Sequence, residues 1–391
     1  MQASKAQDQR GYLLLASIGP LLTLNELRDG SVVRVDSLSM PLNVQYACFH
    51  PRLGIAYVAC SNGGVASLGD RHCLVQVRYG QRRLELVADA IALPYRPIHV
   101  SIDPLGRRLA IAYNRPAAVT RHELDAQGAV SEDHCLVDDP VLIGHFPHQI
   151  LPIPSKEDWL LTCRGDDASP AAPENPGCLG VLTDSGQAIT CSQRIAPNGG
   201  YGFGPRNCAF HADGRTLYAV LERQNQLLGF RCRGETIEPQ PRWAVGLLER
   251  PLEVRRPQLG GAIVLHPGGR HAYVVNRWHP VPADTAQPAP CGENSIVVFA
   301  LDPDGGKPAV TQRVPLSGLH ARCITLSHDG HFLVAAPRQP GRYLDESGRI
   351  VECTAGFTVY RVMSDGCLER LGHHAVDVGR DQLFWADFCP A

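Results

Sequence analysis

Lysine is almost missing from this chain. Nearly all of its 37 basic residues are arginine, and against 39 acidic residues they leave a formal net charge of -2. That balance excludes a polybasic surface, so neither nucleic acid nor an anionic membrane is expected as a partner. None of the 14 cysteines has a Cys-x-x-Cys partner, which excludes the usual structural zinc sites. Most, such as Cys60, Cys163 and Cys232, lie in or beside apolar runs and read as small buried hydrophobes, which fits a reducing cytoplasm. The apolar run from Tyr12 to Leu24 is broken by Gly19-Pro20 and leads into a turn at Asp29-Gly30, so it reads as two strands and not as a leader or a membrane span. Gly-x-Ser-x-Gly, P-loop and His-Glu-x-x-His motifs are all absent. His271, His279 and His373-His374 have no second ligand at metal spacing, so no metal and no cofactor is expected.

What the chain has instead is a returning phrase. Phe210-His211-Ala212-Asp213-Gly214-Arg215-Thr216-Leu217-Tyr218 is answered by Leu265-His266-Pro267-Gly268-Gly269-Arg270-His271-Ala272-Tyr273. Related copies start at Phe49, Ile102 and Leu326, and a degenerate one without the glycine runs from Ile150 to Leu161. Each is an apolar strand, a Pro/Asp-Gly turn and a second apolar strand, the pattern of a β-hairpin. Hairpins recurring at roughly 50–60 residues mean a propeller or a solenoid. The length then accommodates about seven blades of four strands. Six hairpins are visible, centred near Gly54, Gly106, Glu157, Gly214, Gly269 and Gly330. The seventh blade follows if strands near 12–28 pair with one near 382–388, closing the ring across the termini and hiding the sheet edges. The expectation is an all-β, seven-bladed β-propeller, with residues 1–10 a disordered tail and 11–391 a single domain. Three stretches, 165–176, 281–293 and 337–352, exceed blade length. All follow second hairpin strands, so they leave from one face and read as a partial lid rather than scattered surface insertions.

In a hairpin the start of the first strand and the end of the second lie together. His148 and Arg206 stand where first strands begin; Glu222 and Arg277 stand where second strands end. These four should gather at one mouth from three consecutive blades. Arg164, Asn114 and Arg322 hold equivalent positions and should rim it as substrate-binding groups. A guanidinium fork matches carboxylate or phosphate and stabilises a developing oxyanion. A carboxylate orients water or takes a proton, and a histidine serves as acid or base near neutral pH. Such a mouth suits a small anionic substrate.

At Phe203-Gly204-Pro205-Arg206, Tyr218 to Glu222, Tyr273 to Arg277 and Pro147-His148, the sequence resembles the lactonase family of seven-bladed propellers. That family includes propeller-type 6-phosphogluconolactonases and carboxy-cis,cis-muconate cyclases. The resemblance runs from about Tyr12 to the C-terminus and is strongest over 199–336. It implies the propeller fold independently, and it implies that His148, Arg206, Glu222 and Arg277 form the catalytic set. The chain departs from the family at the rim: Asn207 follows Pro205-Arg206 where the family has His, Ala321-Arg322 replaces Pro-Arg, Ser61-Asn62 replaces Asn-Glu, and Pro337-Arg338 replaces Asn-Gln. The expected activity is hydrolysis of a phosphorylated or carboxylated lactone. Two alternatives stand beside it: a muconate-type cycloisomerase acting on an unsaturated acid, and a binding propeller without catalysis.

Overall fold

The computed structural model describes residues 11–390 apart from 65–66, 155, 235, 254–256, 279–291 and 346. The expected tail, 1–10, lies outside the described residues. Blade 1 is built from Asn43–Phe49, Ile55–Ser61, His72–Gly80 and Arg83–Leu86. Blade 2 runs Pro97–Ile102, Arg108–Asn114, Ala117–Leu124, Val130–Val137, and blade 3 runs Pro147–Pro152, Trp159–Cys163, Cys178–Asp184, Ile189–Ile195. Blade 4 runs Pro205–Phe210, Thr216–Leu221, Gln226–Arg233, Thr236–Ile237. Blade 5 runs Gln258–Leu265, His271–Trp278, Ser295–Ala300, Ala309–Pro315, and blade 6 runs Cys323–Leu326, Phe332–Ala336, Gly356–Val362, Leu368–Ala375. Blade 7 begins with the last strand of the chain: Leu383–Phe388 pairs with Tyr12–Ile18, which pairs with Leu21–Arg28 and then Ser31–Ser39. The fold is the all-β, seven-bladed propeller that the repeat implies, with its last blade closed through the two terminal strands.

By contacts the chain forms two compact units: 38–244, with blades 1 to 4, and 1–37 with 245–389, with blades 5 to 7. Within each, apolar side chains fill the spaces between successive blades. Tyr57, Leu74, Ile111 and Tyr113 lie between blades 1 and 2, and Tyr273, Val298, Leu333 and Tyr360 between blades 5 and 6. Middle strands are covered on both faces, so Ile55–Ser61 is buried throughout, whereas outer strands such as Val130–Val137 are half exposed. A strand covered on both faces gives a continuous apolar run, and one covered on a single face an alternating pattern.

The repeated His, Tyr and Gly of the returning phrase have a structural use. His50 Nε2 hydrogen-bonds Gly106 O of the next blade at 3.3 Å, and Tyr57 donates its hydroxyl to Gly128 O at 2.7 Å. In the other unit, His266 hydrogen-bonds the Gly330 backbone, and Tyr273 donates to Gly366 O at 3.0 Å. Gly106 has φ +68°, and a Cβ there would sit 2.5 Å from His50 Nε2. The left-handed turn and the close imidazole both require glycine.

Spacing could not show which cysteines meet. Cys60 lies opposite Cys73, and Cys163 opposite Cys178, on paired strands. All four are free thiols. Among the described residues no helix is long and apolar enough to cross a membrane.

One buried carboxyl sets a pH dependence. Asp387, on the innermost strand of blade 7, accepts from Thr325 Oγ1 of blade 6 and from Phe388 N at 2.9 Å. Burial raises it from 3.8 to about 6 despite those hydrogen bonds. A carboxyl whose folded pKa is raised binds its proton more readily in the native state. Its ionised form therefore weakens the fold fully above about pH 6, and the penalty disappears as pH falls toward the unfolded value. Asp387→Asn should thus stabilise the protein at pH 8 by up to about 3 kcal/mol, with no gain at pH 4. Denaturant melts of both proteins across that range check this; a gain independent of pH would sink it.

Candidate active site

The innermost strands of blades 3 and 4 each carry one extra residue. Pro147 pairs with Cys163 while Gln149 pairs with Thr162, so His148 is the bulge; Pro205 pairs with Leu221 while Asn207 pairs with Val220, so Arg206 is the bulge. A β-bulge bends its strand and re-aims a side chain. Glu222 follows Thr216–Leu221 directly, its N–H bonded to Gly204 O at 2.9 Å, so it lies beside the start of the strand that holds Arg206.

Glu222 is held between two guanidinium groups. Arg206 Nε lies 2.9 Å from Oε1, and Arg164 donates from Nη1 to Oε2 at 2.8 Å. Arg206 also donates to Asn207 Oδ1. Arg164 in turn lies over the Phe146 ring at 4.3 Å, and Phe146 adopts a left-handed φ of 53° just before His148. Ion pair, ring and bulge together fix three of the predicted residues, Arg164, Arg206 and Glu222, in one cluster. His148 stands half-buried on the neighbouring bulge. Asn114 ends its strand in blade 2 as expected, with Oδ1 buried and without a hydrogen-bond partner.

The other predicted residues lie in the second unit. Arg277 approaches His320 Nε2 at 3.5 Å. Arg322 lies over the Phe384 ring at 4.1 Å, and Arg338 lies over the same ring at 6.0 Å. Burial pushes the Arg338 pKa down, and no carboxylate pairs with it among the described residues.

One expectation is corrected. At a mouth Glu222 and Arg277 are expected to meet solvent, yet they are 4% and 2% exposed, and Arg206 is 4% exposed. Neighbouring side chains cover two of them: Arg164 reaches over Glu222 from blade 3, and His320 lies against Arg277.

His99 belongs to the first cluster and was missed. Its imidazole is stacked on Tyr46 at 4.1 Å, and its pKa is driven to about 3 by burial and, second, by the charge of Arg206. It is therefore a neutral group near Arg206 and no proton donor at neutral pH. The Pro147-His148 step does not point to it, since Ile98 is the bulged residue after Pro97 and His99 falls one position later, opposite Ala112. Arg96, buried and bonded through Nε to Gln45 Oε1 at 3.0 Å, was also missed. Among the described residues no cluster of three or more His, Cys, Asp or Glu could hold a metal. Of the tempting histidines, His373 bonds Thr354 and Thr358, and His279 lies outside the described residues.

Of the three long stretches, 165–176 is tied down by bridges at Asp166–Asn175 and Ser169–Ala172 and by Arg223, which meets Asp167 at 3.0 Å and Glu174 at 3.5 Å. The stretch 337–352 contributes a hairpin, Gly341–Leu344 with Ile350–Cys353. Most of 281–293 lies outside the described residues.

Known proteins share this arrangement of strands. The periplasmic gluconolactonase PpgL of Pseudomonas aeruginosa superposes with a TM-score of 0.72 at 19% identity, covering 97% of this chain and 99% of that one. A proposed 6-phosphogluconolactonase from Bacteroides uniformis gives 0.71 at 18%, covering 97% and 100%. A Lactobacillus plantarum protein gives 0.67 at 16%, covering 97% and 99%. At these identities the likeness is one of fold. No curated protein matches the sequence. A family model does, "Lactonase, 7-bladed beta-propeller", over residues 182–342. That segment holds Arg206, Glu222, Arg277 and Arg322. The chain is thus a seven-bladed β-propeller that carries the sequence pattern of the propeller lactonases over residues 182–342, which include Arg206 and Glu222 of its arginine–glutamate cluster.

Proposed function

We propose that this protein is a lactone hydrolase acting on an anionic lactone. The observation that carries the reading is the buried Arg164–Glu222–Arg206 cluster, two of whose three members lie within the segment matching the lactonase model. Arg206 stabilises the tetrahedral oxyanion, and Arg277 is a further catalytic residue by the family resemblance. Glu222 orients the attacking water and draws its proton, and His148 protonates the departing alkoxide. Arg338, buried beside the Phe384 ring, supports the anionic substrate, since a buried cation favours a bound counter-charge. Arg338 is itself one of the departures from the family pattern, so it points toward a substrate with an added negative group. The reading places the chain in a reducing compartment, where the facing thiols stay unbridged.

The test is a panel of lactones in matched carboxylated or phosphorylated and neutral pairs, followed by pH-stat and by calorimetry. Acid release from the anionic members is expected, with binding that weakens as salt rises. A new ultraviolet signature without acid release favours a cycloisomerase instead. Equal binding of the neutral partners removes the charged-substrate assignment.

A further inference from the structure

Among the described residues, three arginines of the unit 38–244 are buried: Arg96, Arg121 and Arg206. Two of them have counter-ions. Arg121 Nε lies 3.1 Å from Asp184 Oδ2, and Arg206 is held by Glu222. Arg96 is only 5% exposed, yet among the described residues no carboxylate pairs with it. Burial pushes its pKa down. A buried cation without a counter-charge is unfavourable, and a bound anion relieves it.

The neighbours of Arg96 engage one edge of its guanidinium and leave the other open. Gln45 is the extra residue on the innermost strand of blade 1, since Val44 pairs with Cys60 and Tyr46 with Ala59. Its amide donates to Asn43 O at 3.2 Å and to Gly63 O at 3.5 Å, and its Oε1 accepts from Arg96 Nε at 3.0 Å. Among the described residues the two Nη groups of Arg96 make no hydrogen bond, and neither is sealed from solvent. Those two groups form the fork that matches a carboxylate or a phosphate. The position is that of the glutamate cluster. Arg96 directly precedes Pro97, which opens the innermost strand of blade 2, and Gln45 occupies in blade 1 the bulge that His148 and Arg206 occupy in blades 3 and 4. Tyr46 stacks on His99, and the charge of Arg206 reaches His99. Arg164 and Arg206 already share Glu222, so Arg96 is the cation of this group that lacks a partner.

We propose that Arg96 is the specificity residue of this site: its Nη edge binds the carboxylate or phosphate of the substrate while the Glu222 cluster acts at the ester. Arg96 lies outside the segment that matches the lactonase model, so that match does not assign it. The proposal rests on the lactone reading for the reaction, but the anion contact is measurable without turnover.

The experiment is calorimetry on the full chain with inorganic phosphate and with gluconate, and kinetics on the matched lactone pairs. At least one of the two anions should bind saturably. Arg96→Gln should weaken it by about 10- to 100-fold, the effect of losing a charge-assisted contact. On the anionic lactones the same variant should raise KM by a similar factor with kcat nearly unchanged, and on the neutral partners it should behave like the parent. A merely structural role would instead lower turnover of both members of each pair. Thermal melts establish that the variant is folded; where it is not, Arg96→Lys carries the same test, since it keeps the charge and loses the fork. If no lactone turns over, the lactone reading fails, while the anion titration still decides the role of Arg96. The proposal is overturned if neither anion saturates, if Arg96→Gln binds the anion like the parent, or if the variant loses activity on the neutral lactones as well.

Discussion

Replacing Glu222 by glutamine should lower turnover by about two to four orders of magnitude, the usual cost of losing a positioned acid–base group. The variant keeps the shape of the side chain and removes only its charge. The structure adds a second consequence. Glu222 is the shared counter-ion of Arg164 and Arg206, and breaking a buried pair from one side typically costs about 3–5 kcal/mol. Arg164 is partly exposed and can be hydrated, so the lower end of that range applies. Glu222→Gln should therefore fold with a reduced denaturation midpoint as well as a reduced kcat. Arg277→Ala should show the same loss of turnover, since the family resemblance implies that this 2% exposed guanidinium is catalytic. Turnover near that of the parent in either variant, on the substrate the lactone panel identifies, removes that residue from the mechanism.

Deleting residues 381–391 should prevent folding of the last blade altogether. The strand Leu383–Phe388 is its innermost, paired with Tyr12–Ile18 through Leu14–Phe388 and Ala16–Ala386. The deletion removes Leu383, Trp385 and Phe388, which are 0%, 2% and 6% exposed. At roughly 1.5–3 kcal/mol for each large apolar side chain, that amounts to about 5–9 kcal/mol. The whole stability of a native protein is only about 5–15 kcal/mol. The deletion also strips the ladder partners from Tyr12–Ile18 and exposes a sheet edge, which favours aggregation. Circular dichroism melts and gel filtration check this, and an unchanged melting temperature would contradict closure through the termini.

The blade pattern was legible because each hairpin is local: strand, turn and strand lie within a short stretch, and Gly214 or Gly269 marks the turn. Even the seventh blade could be inferred, since the leftover strands at the two ends had only each other to pair with. The positions of Arg206 and Glu222 could be read from hairpin geometry, and the structure joins them. The bulges at His148 and Arg206 could not, because a register slip leaves no mark in one strand's sequence. The burial of these residues was missed for a related reason. It depends on side chains from neighbouring blades, such as Arg164 over Glu222, and no local pattern reports contacts over 58 residues of separation. The same applies to the thiol pairs and to Arg338, which gains its meaning from Phe384.

The hydrogen bonds from His50 and Tyr57 to Gly106 and Gly128, and those from His266 and Tyr273 to Gly330 and Gly366, run one way: the donor side chain is on one blade and the glycine on the blade after it. They also sit at the turn end of each blade, opposite the strand ends that hold His148, Arg206, Glu222 and Arg277. Heredity can therefore treat the two ends differently. Loss of blade 2 or blade 6 leaves an imidazole and a phenol without their glycines, so those blades resist removal. Loops at the other end carry none of these four fasteners, and a new hairpin such as 341–353 can be added there without loosening them. A scaffold arranged in this way is suited to acquiring new substrates by exchange of loops alone.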